Sequence, residues 1–268
     1  PKYMLFKGTT TDNQIVVVSS YTQPFISFVT DLSSNPVSGI KVGFSISTYP
    51  AGSSGHELTK AEDITDSKGK AETQLKLGDI PAEYGVTVRC EACIPSSVTF
   101  TCCGKLPNDD FKQFDVRWAT HTYDNTNKTI KELGCIITSL ATLINYYINE
   151  YDLNITTTNP LLLNRYAKEN SYYTPGGKVK WDVVQKISND QISFVEIVDV
   201  STITPVITAE DLIKEINKDL FDRKPVVLKI KGFNAPSHFV LAVGKCRTKY
   251  IISDPGSGQR FLYDPYDK

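Results

Sequence analysis

Hydrophobic and polar residues alternate in short runs through the first hundred residues of the chain. The runs are rich in β-branched side chains, and clusters of Gly, Ser, Asn, Asp and Pro separate them, as at 31–36, 51–55 and 66–69. Short, evenly spaced strands with such turns are typical of an antiparallel β-sandwich. The pattern predicts strands at 14–18, 25–30, 39–46, 70–75, 86–90 and 97–101.

The periodicity changes after residue 106. Apolar residues then recur at helical spacing in four segments, and a series of β-like runs comes after the first of them. Helices followed by an antiparallel sheet are typical of an α+β domain. The predicted helices are 135–148, 160–169, 181–187 and 209–221, and the predicted strands are 192–198, 226–230, 238–243, 250–253 and 261–263.

Length and composition fit this two-domain division. The chain has 268 residues, of which 40% are hydrophobic, enough for two ordinary cores. The predicted domains are a sandwich at 1–106 and an α+β domain at 111–268, joined by a polar, proline-containing linker at 107–110.

Charge and hydropathy exclude two classes of partner. Lys and Arg total 29 against 30 Asp and Glu, so no basic field is present to attract nucleic acid or an anionic membrane. The sequence has no apolar window long enough to insert in a membrane, and its first residues lack the layout of a secretory signal. If the protein is exported, we expect this chain to be mature, truncated or delivered by another route.

Cys135 is the candidate nucleophile. It follows Gly134 and begins an apolar, helix-like stretch. The first turn of a helix presents unpaired backbone N–H groups and the positive end of the helix dipole, and both favour a thiolate. A cysteine on an apolar helix is most often a small buried hydrophobic residue, so the assignment depends on a base elsewhere in the chain.

His238 is the best candidate for that base among the three histidines. His56 lies in a loop of the predicted sandwich, and His121 is better suited to contacting substrate than to catalysis. His238 begins an apolar strand, and Asp254 follows the next strand after a hairpin-like turn. Antiparallel neighbours bring these two positions together, so Asp254 can orient the imidazole, although an Asp-Pro-Gly sequence is also an ordinary turn.

Five segments of the C-terminal half occur in the order of the motifs of papain-like cysteine peptidases. They are 113–118, 134–139, 176–181, 237–244 and 252–256. The branch that they most resemble is the family-39 type, named for bacterial peptidases that cut double-glycine leader peptides. The resemblance covers residues 110–268 approximately and implies a papain-like fold for the α+β domain.

The resemblance also implies a role for each site residue. Cys135 would be the nucleophile, His238 the general base and acid, and Asp254 the residue that orients the histidine. Gln113 would donate from its side chain to the oxyanion, a role that comes from the resemblance alone. No cofactor and no metal are implied.

Three further residues lie in motifs next to these catalytic elements. Trp118, Trp181 and Gly177 are predicted to contact substrate. Aromatic residues more often pack in a core than line a cleft, so a structural role for the two tryptophans remains open.

The N-terminal segments 25–31, 35–44, 65–71 and 85–92 resemble a bacterial immunoglobulin-like domain of the invasin or intimin kind. Such domains are commonly spacers or adhesive modules on cell surfaces and phage particles. The resemblance implies an extracellular or cell-surface location, or a place in a phage virion, with a surface or virion partner bound through this domain.

The remaining cysteines predict cross-linking of the sandwich. Cys90, Cys93, Cys102 and Cys103 cluster at its end, and counting back from the last turn places Cys90 opposite Cys102 or Cys103. A cross-strand disulfide is the first interpretation, while free thiols or a zinc site remain open. Cys246 is predicted to be an unpaired thiol.

Together these features predict a cysteine peptidase that hydrolyses a peptide or amide bond. Its partner would be a peptide or a peptidoglycan peptide. The alternatives are a phage or cell-wall lysin that cleaves peptidoglycan peptides, and a catalytically silent papain-like module that only binds.

Overall fold

The computed structural model describes residues 2–124, 126–193, 208–231 and 237–263. The predicted strand at 192–198 lies outside these residues from position 194 onward. None of the helices in the described ranges is long and apolar enough to cross a membrane.

The chain divides into two compact units, and the main boundary follows Leu106. The first unit also takes in Phe221–Arg223 and Gly244–Lys249, which the sequence prediction places in the C-terminal domain. The second unit comprises 107–220, 224–243 and 250–268.

The first unit contains strands β1 to β11. Alternation of the side chains gives each strand a buried face: in the third strand Phe25, Ser27 and Val29 are buried while Ile26 and Phe28 are only partly covered. The strands are β1 Tyr3–Lys7, β2 Gln14–Val17, β3 Phe25–Asp31, β4 Lys41–Thr48, β5 Glu57–Leu58, β6 Glu62–Ile64, β7 Lys70–Thr73, β8 Leu75–Lys76, β9 Glu83–Arg89, β10 Cys93–Ile94 and β11 Ser97–Lys105.

Nine of these strands form the predicted sandwich, with an immunoglobulin-like order, while β5 and β8 pair with each other. One sheet runs β10-β1-β3-β7 and the other β2-β11-β9-β4-β6, with β2 parallel to β11. Tyr84, near the start of β9, donates its hydroxyl hydrogen to the carbonyl of Ile80 at 2.9 Å, which is the tyrosine corner of such sandwiches. The rings of Phe25 and Phe100 stack in the core, with their centroids 5.1 Å apart. The prediction of an immunoglobulin-like sandwich is confirmed.

The predicted cysteine pairing is wrong. β11 pairs with β9 in a register that places Cys102 opposite Tyr84, so Cys90 has no cysteine across from it. Cys90 is instead bonded to Cys93 across a tight turn, and Cys103 is bonded to Cys246. Cys246 is therefore not a free thiol.

The second unit contains helices followed by a four-stranded sheet in the order β12-β13-β14-β15. Residues of α2, α3 and α4 share one buried cluster, to which Val227 and Phe239 of the sheet are packed. The elements, some of which extend into the short segments of the first unit, are α1 Ile130–Leu133, α2 Cys135–Glu150, α3 Pro160–Glu169, α4 Val183–Ile187, α5 Ala209–Phe221, β12 Val226–Ile230, β13 His238–Cys246, β14 Lys249–Ser253 and β15 Phe261–Tyr263.

Candidate active site

Cys135 is the first residue of α2, and its side chain is partly exposed. Gly134 separates it from α1, and a Cβ on this glycine would lie 2.4 Å from the carbonyl oxygen of Ile130. Only glycine therefore lets the two helices meet so closely. The junction places the thiol at a helix N-terminus, where the first backbone N–H groups lack intrahelical partners.

Contacts between α2 and β13 fix the position of His238 relative to Cys135. Ser139, one turn after Cys135, donates its hydroxyl hydrogen to the carbonyl of Phe239 at 3.2 Å. His238 itself is paired with Ile230 of β12, which holds its backbone in the sheet. The nucleophile and the imidazole thus belong to two elements that are directly bonded to each other.

His238 and Asp254 form a hydrogen-bonded pair. Nε2 of the imidazole lies 2.7 Å from Oδ1 of Asp254, the residue that follows β14. Because Nε2 is engaged with the carboxylate, Nδ1 is the ring nitrogen left for Cys135. The hydrogen bond with Asp254, followed by that with Cys135, raises the pKa of His238 to about 9 against the opposing effect of burial. The imidazole is therefore protonated at neutral pH.

Asp254 is held by the turn that follows it. Its side chain is 3% exposed, and Oδ1 accepts from the backbone N–H groups of Gly256 at 2.7 Å and Ser257 at 3.2 Å, while the Ser257 hydroxyl donates to Oδ2. Burial by itself raises the pKa of the Asp254 carboxyl, but the hydrogen bonds from His238, Ser257 and Gly256 outweigh it and hold that pKa well below its usual range. The carboxylate stays charged and fixed in direction.

Gln113 lies between this turn and α1. Its backbone N–H donates to the carbonyl of Pro255 at 2.9 Å, and its side-chain Nε2 donates to the carbonyl of Lys131 at 2.6 Å. The neighbouring Lys112 ammonium donates to the carbonyl of Asp254 at 2.8 Å. An amide nitrogen carries two hydrogens, so one N–H of Gln113 is left for an oxyanion.

The structure therefore brings Cys135, His238 and Asp254 together and ties Gln113 to the turn beside them. These are the four residues for which the sequence predicts catalytic roles. The arrangement supplies a nucleophile, a proton carrier, an orienting carboxylate and a hydrogen-bond donor.

The three predicted substrate contacts differ in their placement. Trp118 is 2% exposed, and its indole N–H donates to the carbonyl of Lys112 at 2.7 Å. Trp118 therefore stabilises the loop that carries Gln113. Trp181 is partly exposed and packs edge-on against Phe239 at 6.0 Å. Gly177 has a φ of 76° and is part of an exposed turn.

Three residues that support the site are not found by reasoning from the sequence. Ser139 and Lys112 form bonds across the fold that no local pattern indicates. Ser257 has a local signal, because an Asp followed by Pro-Gly-Ser is typical of a turn in which the carboxylate accepts from the following N–H groups. That signal marks Asp254 as a turn residue as well as an orienting one.

No family model matches the sequence, and no curated protein matches it. Among solved structures, the chain is similar to the D00-D0 domain of intimin, with 16% identity over 39% of this chain and 48% of that chain and a TM-score of 0.29. It is also similar to the adhesin InvE of Yersinia pseudotuberculosis, with 12% identity over 57% and 54% and a TM-score of 0.33. A third similar structure is the C-terminal 282-residue fragment of intimin in complex with the intimin-binding domain of the translocated intimin receptor, with 17% identity over 41% and 35% and a TM-score of 0.30. The chain thus spans less than two thirds of each of these chains, and likeness of this size does not identify a function for it.

Proposed function

We propose that the second unit is a papain-like cysteine peptidase or amidase. The observation that carries the proposal is the convergence of Cys135, His238 and Asp254 from a helix start and two strand ends. A buried carboxylate on an imidazole that in turn faces a partly exposed thiol is the arrangement needed for nucleophilic attack by sulfur.

Attack begins with the proton on the imidazole. Since the pKa of His238 is raised to about 9, the ring is cationic at neutral pH, and a neighbouring cation favours a thiolate. The sulfur of Cys135 then adds to the carbonyl carbon of a peptide or amide bond. A C–S bond forms, and the carbonyl oxygen gains the negative charge.

We assign two donors to this developing charge. One is the backbone N–H of Cys135 in the first turn of α2, and the other is the free amide N–H of Gln113. Donors already in place where the charge appears lower the barrier more than they stabilise bound substrate.

Collapse of the intermediate breaks the C–N bond, and His238 protonates the leaving amine. The neutral imidazole then takes a proton from a water molecule, which attacks the thioester and releases the acid. Asp254 holds the ring in one orientation through both steps and stabilises its cationic form.

The proposal includes an extracellular or surface location. Two disulfides, Cys90–Cys93 and Cys103–Cys246, are typical of proteins that fold in an oxidising compartment. The immunoglobulin-like unit is consistent with this, since such sandwiches are frequent in surface proteins, and a surface or virion partner bound through it is part of the same proposal.

The test compares turnover of the wild type with that of two single-cysteine variants. Fluorogenic peptides and purified peptidoglycan fragments are digested in parallel, and products are identified by mass spectrometry. Cys135→Ala is expected to lose about 10⁴-fold or more in rate, as removal of a catalytic nucleophile does. Cys102→Ala, which removes the other free cysteine, should retain the wild-type rate.

The digestion assays distinguish three outcomes. Cleavage of peptidoglycan fragments only would make the protein a lysin of peptide cross-links. Full activity of Cys135→Ala would overturn the proposal, and a wild type that cleaves neither substrate class would favour a silent binding module.

A further inference from the structure

Asp124 is a nearly fully buried carboxylate that the proposed mechanism does not use. Its residue is 4% exposed, and Oδ1 accepts from the backbone N–H of Thr126 at 2.7 Å. Oδ2 has no hydrogen-bond partner, and no cation pairs with this carboxylate, among the residues that the structure describes. An unpaired oxygen on a largely buried carboxylate is a strong acceptor for a cationic donor.

The turn at Thr126 does not explain the charge. An asparagine side chain accepts from the same N–H through its own Oδ1 and fits the same turn at no cost in buried charge. The neighbouring phenols do not explain it either. Tyr173 donates to Oδ1 of Asn164 at 2.7 Å and is hydrogen-bonded to Tyr123, so these hydroxyls satisfy one another.

The free oxygen of Asp124 lies against the glycine turn that the sequence predicts to contact substrate. A Cβ built on Gly177 would be 2.3 Å from Oδ2, and the φ of 76° also favours glycine at this position. Any other residue there would fill the space beside the carboxylate. A side chain there would collide with the carboxylate oxygen and cover it.

Tyr123 links Asp124 to the helix that carries the nucleophile. Tyr123 precedes it in the chain and shares a buried cluster with Ile136 and Ile137 of the first turn of α2. Burial, then the charges of Cys135 and Asp124, raises the pKa of the Tyr123 hydroxyl, so both groups act on the same phenol. One tyrosine ring thus lies near both the thiol and the carboxylate.

We propose that Asp124 is a specificity residue that receives an ammonium group of the substrate chain, next to the amide that Cys135 attacks. The inference rests on the proposed amide hydrolysis only in that the bound peptide is also the substrate, because recognition of the ammonium is itself a binding property. An ammonium supplies the missing charge and donates to Oδ2. It is either the free α-amino group of a peptide or the side chain of lysine or another diamino acid.

The test uses a mixed-sequence peptide library in four forms: unmodified, acetylated at the N-terminus only, acetylated at lysine only, and acetylated at both. Wild type is expected to cleave the unmodified library about ten- to a hundredfold faster than the doubly acetylated one, the range for a hydrogen bond to a charged group. Asp124→Asn keeps the Thr126 turn and should remove this preference, so that the variant cleaves the unmodified and doubly acetylated libraries at equal rates. The two singly acetylated forms tell an α-ammonium from a side-chain ammonium.

Asp152→Asn is the matched control. Asp152 is exposed just beyond the far end of α2, about 24 Å along the helix from Cys135, and its φ of 48° suits asparagine. This variant makes the same change in charge and should keep the wild-type preference.

A binding arm keeps this inference separate from the hydrolase proposal. The four libraries are passed over immobilised Cys135→Ala protein with and without Asp124→Asn, and retained peptides are identified by mass spectrometry. Enrichment of amine-bearing peptides by the Asp124 protein alone supports the inference even if the wild type cleaves nothing, which would overturn only the hydrolase proposal. Equal retention of the unmodified and doubly acetylated libraries by the Asp124 protein, or equal cleavage of them by an active wild type, overturns the inference.

Discussion

The two free cysteines of the described chain show how differently its two units use one side chain. Cys102 lies in β11 of the sandwich, is fully buried, and has a pKa raised to about 12, by burial first and then by the negative charges of Glu83 and Asp12. Cys135 is partly exposed at a helix start and faces His238. The sandwich uses its thiol as a small hydrophobic group, whereas the second unit leaves its thiol in contact with solvent and with an imidazole.

Alkylation should separate the two thiols by the largest margin. At neutral pH a thiol with a pKa of about 12 is ionised in about one molecule in 10⁵, and Cys102 is also closed to reagent. Iodoacetamide is therefore expected to modify Cys135 at least about a thousandfold faster than Cys102. Peptide mapping by mass spectrometry measures both rates, and in denaturant the two should react alike. Equal rates in the folded protein would remove the contrast.

Loss of the side-chain donor should have the next largest effect. Gln113→Ala is expected to lower kcat about 10²- to 10³-fold, the usual result of removing one oxyanion donor. Its reaction with iodoacetamide should stay near the wild-type rate, because alkylation forms no oxyanion. Gln185→Ala, which removes a partly exposed glutamine bonded to Asp190, is the control and should keep full activity. A normal kcat for Gln113→Ala would assign this residue to loop packing.

The pH dependence of turnover should report the pair of His238 and Asp254. The cationic imidazole is the active form, so kcat/KM is expected to fall as pH rises through about 9. Asp254→Asn removes the largest cause of the raised pKa, so the alkaline limb should move down towards the ordinary histidine value of about 6.5. If the alkaline limb of the pH profile does not move in Asp254→Asn, Asp254 only stabilises its own turn.

The same shift has a consequence for stability. A pKa that is higher in the folded than in the unfolded state stabilises the fold, and that stabilisation is complete below the unfolded value and lost as pH rises through about 9. The difference in unfolding free energy between wild type and His238→Gln, measured in urea, should therefore shrink over this pH range. A constant difference would contradict the raised pKa.

The sequence predicts the parts of the two units that follow from local pattern. Alternation along residues such as Phe25 to Val29 is sufficient to place the strands, and the three positions Cys135, His238 and Asp254 each stand at the start or end of an element. Side chains from different elements converge at the ends of helices and strands, so the approach of these three residues could be predicted.

Contacts that join distant segments could not be predicted in this way. The disulfide between Cys103 and Cys246 spans 143 residues, and its pairing depends on where the hairpin lies rather than on either local sequence. No local pattern marks Asp124, since its burial is a property of the packed structure. The predicted role of Gln113 as an oxyanion donor follows from the family resemblance alone, because its bond to Lys131 has no local signal in the sequence.

The smallest expected effect concerns the glycine that lies against the imidazole. A Cβ on Gly256 would be 2.9 Å from Cε1 and 3.2 Å from Nε2 of His238, so Gly256→Ala must displace the ring by a few tenths of an ångström. Because a misplacement of about 1 Å costs about 10²-fold in rate, a shift of this size is expected to lower kcat about tenfold. Gly43→Ala in the sandwich, where a Cβ meets nothing within 4 Å, is the control. If both variants have equal melting temperatures and only Gly256→Ala has a lower kcat, the second unit depends on the direction of one imidazole ring in a way that the sandwich does not. A wild-type kcat for Gly256→Ala would mean that the imidazole tolerates displacement. The contrast between the units would then rest on the thiol alone.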